Sequence, residues 1–409
     1  MMGYQANIPR FYAFTALMRS MLWMPIWIVF FERRGLSLGE IGMLEFVAIV
    51  LLAVSEVPTG TVADTWGRKT SLVIGATLQG LALLGLLTGV LSPAFLLAYI
   101  FWGVSFSFIS GAADALVYDG LKADGRAGDF AHVVSRGAIV DLAAGGLSGL
   151  VGGLVATYDM RLCFVLTAIA SFAAAGVALT FHEPPSDDVG SDDLAVRPGY
   201  RANLVRGVQI ATRTPRVRYV LLIGALIYLF VTVLTMTAFQ PYVAEVGLPL
   251  WTFGGVLLGI RLGGIAGSYV SPHLAVRLGR QWLLILAPLA IAGMQIVLWL
   301  GASRQAVVLF AVASAVGAAV RPVLAAALND AIPSRQRATI ISLQSLVAML
   351  GLGAVQLAIL AIGERANMAL AIGLSGVLMA VVAAPLLALL VRIGPDPNQP
   401  IDVMATKAA

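Results

Sequence analysis

The chain has 409 residues, 59% of them hydrophobic and 11% charged, with a net charge of +5 and a mean hydropathy of +0.92. Soluble domains carry about 25% charged residues, so this composition excludes a water-soluble globular protein and points to a polytopic membrane protein. The lone cysteine, Cys163, excludes an intrachain disulfide, no Cys/His cluster has metal-ligand spacing, and the basic excess lies mostly between apolar runs, where it reports topology rather than nucleic-acid binding.

A helix needs roughly 20 apolar residues to cross the bilayer core. The first run, 11–31, is too long for a signal-peptide core and lacks a cleavage-like end, so it stays as the first span. Further spans follow near 40–62, 70–91, 94–117, 131–156, 160–181, 219–240, 251–271, 282–301, 305–328, 338–362 and 367–391. Barrel strands would be shorter and alternating. An even number of spans puts both termini on one side. With that side cytoplasmic, the inside holds Arg68, Lys69, Lys122, Arg126, Arg277, Arg280, Arg335, Arg337 and the arginines between 197 and 218. The outside holds only Arg33, Arg34, Arg161, Arg304 and Arg365. The asymmetry predicts a multi-pass protein of the cytoplasmic membrane with both termini inside.

Glu183 to Arg218 is the one long polar stretch. It opens on Pro184-Pro185 and the acids Asp187, Asp188, Asp192 and Asp193, a linker composition. From Tyr200 to Arg213 it turns basic and amphipathic, which suits either a helix on the inner membrane surface or a solvated loop. The chain therefore divides into a first bundle (1–182), a cytoplasmic linker (183–218), a second bundle (219–392) and a tail (393–409). The halves look like repeats. Trp66-Gly67-Arg68 aligns with Leu278-Gly279-Arg280, and Ala131 to Ser135 aligns with Ala338 to Ser342.

Between spans two and three lies Gly60-Thr-Val-Ala-Asp64-Thr-Trp-Gly67-Arg68-Lys69. This segment resembles the signature loop of the major facilitator superfamily, Gly-x-x-x-Asp-x-x-Gly-Arg-Lys, at every defined position. The resemblance implies an all-α fold of 12 transmembrane helices in two pseudo-symmetric six-helix bundles, and secondary transport by alternating access. It also implies a gating latch in which Asp64 and Arg68 cluster with Asp119 at the cytoplasmic end of span four, with Gly60, Gly67 and Lys69 completing the loop. The second copy is degraded, with Val276 at the Asp64 position and Gln281 at the Lys69 position. The run Gly145-Gly146-x-x-Gly149-x-x-Gly152-Gly153 permits close helix packing in span five.

Charged residues inside spans cost about 2.5–3.5 kcal/mol each on insertion scales, so they mark cavities or partners. These are Arg19, Glu45, Glu56, Asp114, Arg136, Asp141, Arg261 and Arg321. Arg19 shares a face with Tyr12, Trp23 and Trp27, and Tyr228, Thr232, Thr235 and Phe239 form a similar face on span seven. Arg19, Trp23, Trp27, Asp114, Tyr228, Thr235, Arg261 and Arg321 are thus expected to line a central cavity. By depth, Asp141 can pair with Arg19, Glu56 with Arg136, and Asp114 with Arg321. Asp141, Asp114, Glu56 and Arg136 are the candidates for proton coupling, Asp141 foremost. Glu45, near an outer end, is expected to snorkel to the interface.

No phosphate-binding loop and no Ser/His/Asp or metal constellation occurs in the sequence. The expected protein is therefore no enzyme and needs no cofactor. It exports drug-like or amphipathic compounds in exchange for protons, as a monomer in the lipid bilayer, with no nucleic-acid partner. The alternative is proton-coupled uptake of an organic anion, suggested by Arg261 and Arg321 in an acid-poor second half.

Overall fold

A computed structural model describes residues 4–183, 214–331 and 337–393. The expectations for the linker from 184 to 213 and for the tail from 394 lie outside the described residues. Among the described residues, ten helical stretches are long and apolar enough to cross a membrane. Two more crossings, one broken and one that opens on Arg68-Lys69-Thr70-Ser71, bring the total to twelve.

The first crossing is α1 (Asn7–Arg19) followed by α2 (Trp27–Arg33). Pro25 breaks it, because proline has no N–H and clashes with the preceding helical turn. Then come α3 (Leu38–Trp66) and α4 (Arg68–Gly85). A capping box starts α3: Glu40 N donates to Ser37 Oγ (3.2 Å) and Ser37 N donates to Glu40 Oε2 (2.8 Å). The fourth crossing is α5 (Pro93–Ile109) and α6 (Ala112–Ala123), separated at Ser110-Gly111. The first half closes with α7 (Phe130–Val155) and α8 (Met160–Leu179).

The second half begins earlier than the apolar count suggests, with α9 at Pro215–Thr232. A π-turn over Val233–Ala238 leads into α10 (Phe239–Glu245). The remaining crossings are α11 (Trp251–Leu278), α12 (Arg280–Leu300), α13 (Val308–Ala331), α14 (Arg337–Arg365) and α15 (Met368–Ile393). The repeat is visible in the backbone. Gly67 (φ 93°, ψ 152°) joins α3 to α4, and Gly279 (φ 79°, ψ 144°) joins α11 to α12 in the same left-sided conformation, which favours glycine.

The apolar core is distributed unevenly along the membrane normal. At the face opposite Tyr4 and Ile393, one continuous cluster joins both halves, from Trp23, Ile28 and Phe31 to Leu234, Phe239, Phe253 and Leu360. At the terminal face there are two separate clusters, one around Phe14, Leu72 and Leu116 and one around Ile223, Ile291 and Val320. The halves are fused at one end and parted at the other.

Small residues make the fusion possible. On α7 and α11, a Cβ at Gly254 would run into the carbonyl of Gly149, and one at Gly153 would come 2.9 Å from Trp251 O. On α3 and α14, Gly42 lies against Leu357 and Gly353 against Phe46. Gly39 N donates to Glu364 Oε2 across the halves (2.7 Å). Backbone-to-backbone approach of this kind supplies the dispersion contacts that hold helices together in lipid.

The unwound residues 20–26 must satisfy their backbone groups without water. Leu22 N donates to Thr167 Oγ1 (3.0 Å). Gln240, fully buried on α10, donates from Nε2 to Met24 O (3.0 Å) and accepts from Ile28 N at Oε1 (3.0 Å). One carboxamide of the second half thus ties down the break in the first.

Candidate functional site

The parting of the halves leaves a cavity of about 860 Å³, within the range of drug-sized ligand sites. Its wall comes from α1, α3, α4, the α5–α6 break, α7, α9 and α14. Most of that wall is apolar. The charged groups on it are Arg19, Glu56, Asp114 and Asp141.

Arg19 and Asp141 form an ion pair through Arg19 Nε and Asp141 Oδ1. Arg261 of the second half joins them from behind. A Cβ at Gly145 would lie 3.8 Å from its guanidinium and 4.0 Å from Arg19 O, and Arg261 interacts electrostatically with both Asp141 and Arg19. Its Nε is buried without a partner among the described residues. Two cations therefore share one carboxylate where the halves meet. Glu56 and Asp114 face the cavity exposed, with no ion pair among the described residues.

Other expected members are elsewhere. Trp23 and Trp27 belong to the sealed core, packed on Phe164, Trp102 and Phe31. The Pro25 break removes the continuous helical stripe that would have aimed them with Arg19. Thr235 is buried in the π-turn and donates to Val231 O (2.7 Å), so of the span-seven face only Tyr228 reaches the cavity. Arg321 is exposed, off the cavity wall, and does not pair with Asp114. Arg136 does not meet Glu56. It shares a helix face with Ile139, Leu147 and Leu154, all turned outward, about 9 Å from the start of α7 at 1.5 Å per residue, where a long side chain can reach the interface. Glu45 does not snorkel: it is 7% exposed and accepts from Tyr99 OH (2.8 Å).

The signature loop occupies the terminal face. Arg68 Nη1 pairs with Asp119 Oδ2 and donates to Ala115 O (2.7 Å). Glu183, at the end of the first half, accepts from Arg68 N (2.5 Å) and lies where a Cβ on Gly67 would fall. Asp64 is exposed and has no partner among the described residues. Gly60 likewise lies open, and Lys69 is half-buried. The first-half ends are also tied by Asn7 with the backbone of His182 (2.7 and 3.0 Å) and by Arg10 donating to His182 Nδ1 (2.6 Å).

Three polar residues of the structure carry no charge inside a span that would mark them in the sequence. Gln79 on α4 and Gln240 on α10 are neutral, and Glu183 falls at the edge of the linker. Their signal was a carboxamide in an otherwise apolar run and a carboxylate next to the last span residue.

The family model of the Major Facilitator Superfamily matches residues 11–351. The fold is similar to that of the nucleoside transporter NupG, with a TM-score of 0.73, 12% identity, and 97% of this chain and 100% of that one covered. It is also similar to a bacterial homologue of the human lysosomal transporter Spinster in an inward-facing, unoccupied conformation (TM-score 0.72, 14% identity, 97% and 100% covered). A D-xylose–proton symporter aligns with a TM-score of 0.65, 15% identity, and 93% and 97% covered. No curated protein is a significant sequence match. The chain belongs to the Major Facilitator Superfamily, and is a multi-pass membrane transporter rather than an enzyme.

Proposed function

We propose that the protein exports amphipathic organic cations across the cytoplasmic membrane in exchange for protons. The observation that carries this reading is the charge on the cavity wall. Among the described residues, Glu56 and Asp114 offer two carboxylates without an ion pair on a largely apolar surface, while the one wall arginine, Arg19, is already engaged by Asp141. An organic anion would find no free cation there, because Arg261 sits behind the wall and Arg321 off it. With the termini cytoplasmic, the cavity opens inward and is poised to load substrate from the cell.

In this cycle the bundles 1–182 and 219–392 rock about the cavity as units, joined by the 183–218 linker, in a monomer. Asp141 is the coupling group. A proton taken up by Asp141 frees Arg19 and leaves two guanidiniums, Arg19 and Arg261, facing each other without their shared acid. That repulsion drives the halves apart and biases the conformational equilibrium. Asp114 is the second candidate.

Purified protein in liposomes tests the reading. Tetraphenylphosphonium should be driven by an imposed pH gradient, and an aromatic carboxylate of similar size should not. Glu56→Gln with Asp114→Asn should weaken tetraphenylphosphonium binding by about tenfold or more, since each lost charge contact is worth roughly 1–2 kcal/mol when desolvated. Carboxylate flux without cation flux would reverse the assignment.

The latch gives a separate test. Asp64 is free in this state and is available to pair when the terminal face closes. Asp64→Asn should slow flux about tenfold, the worth of one charge-assisted hydrogen bond, with normal protein level. Unchanged flux removes Asp64 from the latch.

A further inference from the structure

Gln79 sits on α4, twelve residues into a crossing of eighteen, and is completely buried. Neither Oε1 nor Nε2 has a hydrogen-bond partner among the described residues, yet the residue lines the cavity. Its helix is held tightly on both sides. A Cβ at Gly75, one turn earlier, would come 2.6 Å from Ile109 Cγ1, and one at Gly80 would come 2.7 Å from Phe172. The backbone that carries Gln79 is therefore fixed against its neighbours, and the residue shares the cavity wall with Phe14, Met18 and Phe106.

An unsatisfied buried amide costs about 1–3 kcal/mol per group, and a leucine of similar size would cost nothing there. Polar groups that persist inside a membrane bundle despite this cost mark functional sites. We propose that Gln79 is a hydrogen-bonding subsite of the cavity, made for a substrate that presents a donor and an acceptor side by side. Carboxamide, ureido and lactam edges have that chemistry. The primary amide donates from Nε2 and accepts at Oε1 in one plane, so such an edge satisfies both atoms at once. A simple ammonium or phosphonium satisfies neither, and an ester offers only an acceptor. This deepens the reading of the cavity as a cation site and rests on it: Glu56 and Asp114 neutralise the charged end, and Gln79 reads the polar end.

4-(Dimethylaminomethyl)benzamide and methyl 4-(dimethylaminomethyl)benzoate make a matched pair: both carry the same tertiary ammonium, but only the primary amide presents an N–H beside its carbonyl. Calorimetry on the detergent-solubilised full chain should give the amide about tenfold tighter binding than the ester, the difference of one buried hydrogen bond. Gln79→Leu should bring the ratio to about one, the amide losing more affinity than the ester. Gln79→Met, which keeps the unbranched shape, should do the same and covers the case in which leucine packs badly. A preference for the amide that survives both substitutions overturns the subsite and leaves Gln79 to an internal water. Binding of neither compound by the unsubstituted protein overturns the cation reading itself.

Discussion

Gly254→Val should abolish transport and hold the protein open at the face opposite its termini. The atoms that a Cβ at 254 would meet are backbone: the carbonyl of Gly149 and, at 2.9 Å, Cα of Leu150. A flexible side chain could swing aside, but two packed helices must separate instead. Separation breaks the joint core, so the halves can no longer seal there. The neighbouring glycine provides an internal control, because a Cβ at Gly255 would meet nothing within 4 Å. Gly255→Ala should transport normally. The readout is labelling of a cysteine placed at Ile28, which is fully buried in the seal, in a Cys163→Ser background. A water-soluble thiol reagent should label it in the Gly254→Val protein and far more slowly otherwise. Normal flux with a protected Ile28→Cys would show that the seal tolerates the bulk and is not held by this contact.

Asp141→Asn should abolish accumulation against a gradient while substrate-for-substrate exchange continues. The ion pair with Arg19 and the nearby Arg261 make Asp141 the one acid between two cations. Asparagine fixes the uncharged state, so the molecule loses the alternation between paired and unpaired arginines that uses the proton gradient. Exchange needs no such alternation and should keep at least about a tenth of its rate, since apolar contacts carry most of the ligand's burial. Protein level and thermal stability should be measured alongside, because removing one partner of a charge pair can also loosen the fold. If the asparagine variant concentrates substrate at the normal rate, Asp141 is structural and Asp114 is the next residue to test.

The spans, the repeat and the loop from Gly60 to Lys69 could be read from the chain because they rest on run length and spacing. The Arg19–Asp141 pairing was legible because both charges fall at similar depth. Trp23 and Trp27 were misplaced for a local reason: their stripe assumed one helix through Pro25, and the proline ends it. Thr235 was misplaced by a π-turn, which shifts the helical register without any sequence signal as plain as a proline. Arg136 could not be assigned a face by depth alone, and Glu45 needed the position of Tyr99, a whole crossing away. Gln79, Gln240 and Glu183 depended on contacts between elements far apart in sequence.

The two ends of the molecule are held by different physics. The sealed end joins the halves through the Gln240 carboxamide, glycine packing and aromatic rings, with Glu364 as the one carboxylate that links the two halves among the described residues. The terminal face is built from Arg68, Asp119, Glu183 and Arg10, all within reach of solvent ions. Ionic strength therefore acts on the protein from one side. At about 0.15 M salt the screening length is roughly 8 Å, and contacts among exposed charges weaken as it shortens further. At the sealed end the charged contacts of Arg34, Arg304 and Glu245 lie within one half each, so between the halves there is little to screen. Through this lopsided construction the composition of the medium at the terminal face becomes a setting on the resting conformation, and salt added on the other side leaves that setting alone.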